Sequence, residues 1–166
     1  YIPDARGQVD DTRFFSQSNK LVYDEPVDIE IVAKHIADQF QHFTQFAGAR
    51  PMGVALIIGG VDNNGSSLFL IDPSGTYVAY NAVAIGSNSD TITEFLKKEY
   101  KPNITIDDGN MLAIAAINLV SEIKHGTEHI KISQIRNDSH RFEILTDEQI
   151  KKLAETTLEK YPTKNT

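Results

Sequence analysis

The sequence predicts an α+β fold with helices layered on antiparallel sheet. Three observations carry this. Apolar residues recur at three- and four-residue steps over 28–46 and again over 107–124, as on the buried face of a helix. Between them lies a near-continuous apolar run, Gly53 to Val61, followed by the turn signals Asp62-Asn63-Asn64-Gly65 and Asp72-Pro73-Ser74-Gly75. The elements then run helix, helix, antiparallel strands, helix, helix, hairpin, helix, which is not the strict βαβ alternation of a parallel sheet. No repeat or low-complexity stretch interrupts them, so residues 1–160 are read as one domain and 161–166 as a frayed tail.

Residues 4–19 read as the first helix, with Asp4 as its cap and Val9, Thr12, Phe15 and Ser16 at helical spacing. Lys20 to Tyr23 reads as a short extended piece. Glu25-Pro26 marks a break, because proline disfavours the α region for the residue before it. The second helix starts at an Asp28 cap and carries Ile29, Val32, Ala33, Ile36, Phe40 and Phe43 on one stripe, and Gly48 ends it. The run around Val54 to Ile58 suits a strand covered on both faces. Leu68 to Ile71, Thr76 to Tyr80 and Ala82 to Ile85 complete a meander. Ser87 or Ser89 caps a helix bearing Ile92, Phe95, Leu96 and Tyr100, which Pro102 stops. Residues 107–124 form the next, with Leu112, Ala115, Ala116, Leu119 and Ile123 on one face and Gly126 at its end. Ile130 to Ile135 and Arg141 to Leu145 are a hairpin, and Thr146 with Gln149 is a capping box for the last helix.

Composition narrows the function classes. The 166 residues contain no cysteine, which excludes disulfides, thiolate catalysis and cysteine metal sites. A net charge of −7 argues against broad binding to nucleic acid or to an anionic membrane. No apolar run is long enough to cross a bilayer.

The candidate chemical groups do not assemble into a catalytic set. His35, Asp38, Gln39 and His42 share part of one helix, but no His-Glu-x-x-His pair is present, so a solvated or interface face is the expectation. His125, His129 and His140 are scattered near a helix end and a hairpin. Pro73-Ser74-Gly75 lacks the first glycine of a nucleophile elbow. Gly59-Gly60 opens no helix, and is expected to let another backbone approach the strand. Gly86-Ser87-Asn88-Ser89 is expected to cap a helix rather than to hold an anion. Asp62-Asn63-Asn64-Gly65 brings its glycine too early for a calcium loop.

Several strings, in order, resemble one family: the α-type subunits of the 20S proteasome, most nearly the archaeal ones. They are Pro3-Asp4-Ala5-Arg6, Phe43-Thr44-Gln45-Phe46, Arg50-Pro51-Met52-Gly53-Val54, Gly60-Val61-Asp62, Leu68-Phe69, Asp72-Pro73-Ser74-Gly75-Thr76 and Ala84-Ile85-Gly86-Ser87. Met52 stands where the family usually has an aromatic. The resemblance implies two antiparallel sheets stacked between helical layers, the αββα sandwich of the N-terminal-nucleophile hydrolases. It implies that Asp4, Arg6, Arg50, Pro51, Gly53, Asp72, Pro73, Gly75 and Gly86 are structural motif residues.

The resemblance further implies a non-catalytic role in ATP-dependent protein degradation, with neither metal nor cofactor. Phe46, Ala47, Gly48 and Ala49 match the loop that lines the axial pore. The implied partners are other α subunits in a seven-membered ring, β subunits bearing the active sites, an activator or regulatory ATPase on the outer face, and unfolded protein substrates, in the cytoplasm. The family's N-terminal segment, with its gating tail and first strands, has no counterpart here, so a split chain, a truncation or an altered assembly is expected. The rivals are a free-standing N-terminal-nucleophile hydrolase, against which Tyr1 speaks, and a repurposed interaction domain.

Overall fold

A computed structural model describes residues 2–121 and 127–161. Its elements are α1 (Ile2–Tyr23), α2 (Ile29–Gln45), β1 (Leu56–Asp62), β2 (Gly65–Ile71), β3 (Tyr77–Ala79), α3 (Ser89–Glu99), α4 (Ile106–Val120), β4 (Ser133–Ile135), β5 (Phe142–Ile144) and α5 (Asp147–Lys160). They fall into two compact units, Tyr1–Asn81 and Ala82–Thr166. Each combines helices with antiparallel strands, so the α+β class holds.

In the first unit the sheet order is β1-β2-β3. Asn63 and Asn64 connect the first two strands, with Asp62 opposite Gly65 and Leu56 opposite Ile71. Side chains alternate across a strand, so Leu56, Ile58, Phe69, Ile71 and Tyr77 share one face. That face meets the α2 stripe: Val32, Ala33, Ile36, Ala37 and Phe40 are buried with Phe69 and Ile71. Full burial of one such side chain contributes roughly 1.5–3 kcal/mol, and this seam holds the unit together.

The second unit packs α3, α4 and α5 with the β4-β5 hairpin. Ile114, Ile130, Ile132, Leu145, Ile150 and Ala154 form one cluster. Leu96, Leu112 and Ala116 form another. The Thr146–Gln149 capping box is present in full. The α4 cap, which the sequence reading leaves unassigned, is Thr105, whose hydroxyl accepts the Asp108 N–H at 3.1 Å.

Several local expectations are corrected. Lys20 to Tyr23 is the last turn of α1, not extended chain; the Asp24 N–H still reaches the Lys20 C=O at 2.9 Å. Each added helical residue gains a bond, so propagation overrides a short β-like run. Ala82 to Ile85 forms no strand, and the rung after β3 is Tyr80 N–H to the Leu68 C=O. The first strand starts at Leu56 and is not covered on both faces: alternate residues turn away from α2, and Ile57 is 39% exposed. Its Gly60 admits the Ile29 side chain rather than another backbone. The α3 cap is Asn88, in the left-handed region, instead of Ser87 or Ser89. Asp4 lies inside the first turn of α1, which already runs from Ile2, and so does not cap it. Tyr1, Ile123, His125, Gly126 and the tail after Tyr161 lie outside the described residues.

Candidate functional site

The loop after α2 is built by the helix that precedes it. Asp28 occupies the α2 N-cap without bonding through its side chain, and Asp62 does that work from the β1-β2 hairpin, accepting the Ile29 N–H at 2.9 Å. At the far end the helix stops at Gln45. Phe46 turns out to φ −83° and ψ 119°, its N–H still bonded to the His42 C=O. The Ala49 N–H then donates to the Phe46 C=O at 3.1 Å, and Gly48 sits at φ 88°, a conformation glycine adopts without strain. Residues 46–49 are therefore one tight turn. Phe46 is 58% exposed, so the buried stripe of α2 ends before it. The His42 ring stands 5.4 Å from it. An uncharged surface turn with one projecting aromatic can touch apolar chain segments; it carries no nucleophile and no acid or base.

Beside this turn the structure brings the start of the unit to its middle. Asp4, in the first turn of α1, takes both branches of the Arg50 guanidinium, at 2.7 and 2.9 Å. The same carboxylate accepts the Gly53 N–H at 2.9 Å. Arg50 also donates to the Pro51 C=O at 3.1 Å. The fork of arginine suits this two-point grip in a way lysine cannot match. The Asp4 carboxyl is held down at about 2, first by the Arg50 hydrogen bond and then by the Gly53 amide.

A pH dependence follows from the sign of that shift. A carboxyl depressed in the folded state contributes stability above its unfolded value of 3.8 and loses it as pH falls through about 2. We expect the Gly53 amide signal to titrate with Asp4 in that window in an NMR pH series. In Asp4→Asn the transition should vanish.

The second motif, Asp72 to Thr76, is a turn seated on α2. The Asp72 carboxyl lies below its ordinary value because the Ser74 hydroxyl and the Ser74 and Thr76 amides bond to it. Gly75, at φ 87°, rests against the α2 backbone: a Cβ there would lie 2.6 Å from the Ala37 carbonyl oxygen and 2.7 Å from the Gln41 nitrogen. Pro73 is exposed at the turn's outer corner, and Arg6 is exposed on α1. Gly86 belongs to the second unit, at φ 100° ahead of α3.

Among the described residues the histidines do not converge. His35 faces α1, where its Nε2 meets the Asp11 carboxylate at 2.9 Å and its ring stacks on Phe15 at 4.0 Å. Gln39 donates to the same Asp11 oxygen at 2.7 Å. Asp38 pairs instead with Lys34. Among the described residues no group of three or more metal-ligating side chains gathers.

Sequence reasoning missed three partnerships: Asp4 with Arg50, Asp62 with the start of α2, and Asp11 with His35. The first joins positions 46 apart, beyond any periodic pattern. An acidic residue in the first turn of a helix, and an arginine after a glycine turn, were the available signals.

Comparison with known proteins gives a consistent result. A family model described as Proteasome subunit matches residues 1–135. The chain is 37% identical over 159 residues to Proteasome subunit alpha of Archaeoglobus fulgidus, covering 96% of this chain and 64% of that protein. It is 46% identical over 122 residues to the protein of the same name from Pyrobaculum aerophilum, covering 74% and 50%. With that of Methanocaldococcus jannaschii it shares 42% over 155 residues, covering 93% and 59%. The chain thus spans between half and two thirds of the length of these curated relatives.

Proposed function

The chain belongs to the proteasome subunit family, and from that premise we propose that it acts as a non-catalytic α-type subunit of the 20S core particle. It joins other α subunits in a seven-membered ring, docks on β subunits that carry the active sites, and meets an activator or regulatory ATPase on the outer face. Unfolded protein substrates pass the turn at Phe46, Ala47, Gly48 and Ala49, which lines the axial pore in the cytoplasmic particle. The motif residues Asp4, Arg50, Pro51 and Gly53 support that turn, Asp72, Pro73 and Gly75 seat the helix that bears it, and Arg6 and Gly86 serve the same scaffold.

The observation that carries the reading is the turn itself. It is tight, free of charge, and projects a 58% exposed phenylalanine from the end of a well-seated helix. A pore that passes extended polypeptide needs such a surface, because a fixed charge would hold oppositely charged side chains in transit. An exposed phenylalanine adds little to folding, so Phe46 can contact a passing chain without loss of stability.

The test is Phe46→Gly in particles assembled with β subunits, following degradation of an unfolded protein and hydrolysis of a short peptide side by side. Aromatic contacts are worth roughly 0.5–1.5 kcal/mol, which corresponds to about 2- to 10-fold in rate. The protein-to-peptide ratio should change by that factor while the melting temperature of the chain stays within about 2 °C. An unchanged ratio would remove Phe46 from the pore. Native mass spectrometry of the same particles checks the ring, since a chain that stays monomeric alongside β subunits contradicts it.

A further inference from the structure

We propose that Asp4 is the positioning residue of the 46–49 turn: through Arg50 and the Gly53 amide, the first turn of α1 sets where that turn stands. The inference rests on the pore reading for its functional meaning, and on geometry alone for the positioning.

The ten residues between Gln45 and Leu56 belong to neither helix nor strand. Their upstream end is held by α2, through the Phe46 N–H bond to His42 and the Ala49 N–H bond to Phe46. A turn held at one end pivots about that end. The downstream end meets a single carboxylate that gathers three donors, two from Arg50 and one from Gly53. Those donors bracket Pro51, whose ring fixes its own φ and pushes Arg50 out of the helical region. The backbone on either side of Arg50 is thereby directed, and Arg50 follows Ala49 directly.

The burial of the two partners is unequal. The Asp4 side chain is 13% exposed and that of Arg50 59%. The carboxylate is the fixed member, set in a helix, and the guanidinium is the member that reaches to it. Exposed ion pairs usually contribute little, but a bidentate pair that also binds a backbone amide restricts direction as well as distance. A short aspartate stem on a helical backbone has few rotamers to lose, so the restriction passes to the loop and not to the side chain. A loop held at both ends is pre-organised, and the projection of Phe46 is then a fixed property of the fold.

The experiment is hydrogen exchange by mass spectrometry on the assembled particle, comparing wild type, Asp4→Asn and Arg50→Lys. Asp4→Asn keeps the shape and removes the charge; Arg50→Lys keeps the charge and removes the fork. Both should raise exchange across residues 46–53 by roughly tenfold, while peptides from the centre of α2 and from β2 exchange as in wild type. The Asp4→Asn, Arg50→Lys double variant should be no faster than the singles, as for two parts of one interaction. Unchanged exchange over 46–53, or an increase spread evenly over the unit, would overturn the proposal. Because this readout follows the loop backbone and Phe46→Gly follows substrate, the two can fail separately: a loosened loop with unaltered Phe46→Gly kinetics would keep the positioning and remove the pore.

Discussion

Gly75→Ala is expected to destabilise the chain by roughly 2–5 kcal/mol, the sum of a left-handed residue that gains a Cβ and a clash that forces packed elements apart. The glycine stands at φ 87°, and its missing Cβ would lie 2.6 Å from the Ala37 carbonyl oxygen and 2.8 Å from the Gln41 Cβ. Two of the three nearest atoms are helix backbone, which cannot swing aside as a side chain would. For a domain of 150–250 residues each kcal/mol shifts the melting temperature by about 2–4 °C, so a thermal melt should fall by roughly 4–20 °C. Gly48→Ala is the matched control. It too has a positive φ, at 88°, but nothing lies within 4 Å of its Cβ position. It should lose only the conformational part, about 1–2 kcal/mol. Equal losses at both glycines would show that the 72–75 turn does not bear on α2.

Phe40→Ala is the other large expectation. Phe40 is fully buried where α2 meets β2 and joins the same cluster as Val32, Ile36, Phe69 and Ile71. Truncating a buried phenylalanine costs about 3–5 kcal/mol, from lost transfer energy and from the cavity left behind. In chemical denaturation the midpoint should fall with an unchanged slope. A loss below about 1 kcal/mol would mean that the site collapses around the alanine, and that α2 is held by its termini more than by its face. Both predictions concern the helix that bears the proposed pore turn. The helix that Gly75 and Phe40 seat is the one from which residues 46–49 project, so the aim of Phe46 depends on packing about two turns away.

Most of the α2 stripe was legible, because apolar residues at helical spacing leave one solution for which face is buried; the buried Ala37 was not named in it, and Phe43, which was, is only half-buried. The Thr146–Gln149 box was equally plain, since both of its bonds form within four residues. The 46–49 turn was marked by a glycine past a helix end, and its proposed role by likeness to a family. Lys20 to Tyr23 was misread because two β-favouring residues outweighed the helical context in so short a window. Ala82 to Ile85 was misread for a related reason: apolar residues after a turn look like a strand whether or not a partner edge is there to pair with them. The burial of β1 was overstated on the same ground, since a continuous apolar run states what a strand could bury and not what lies on it.

By itself, the sequence determined the α+β class, the order of helices and hairpins, the Thr146–Gln149 capping box, and the family. These follow from period, propensity and local bonds, which act over one turn of chain. Only the tertiary structure decided that Asp4 grips Arg50 and Gly53, that Asp62 caps α2 from a hairpin, that His35 turns to Asp11 instead of gathering with His42, and that Gly75 lies on helix backbone. Each of these joins residues tens of positions apart. Which charge meets which is set by how α1, α2 and the sheet pack, and no spacing along the chain encodes that meeting before the core has formed.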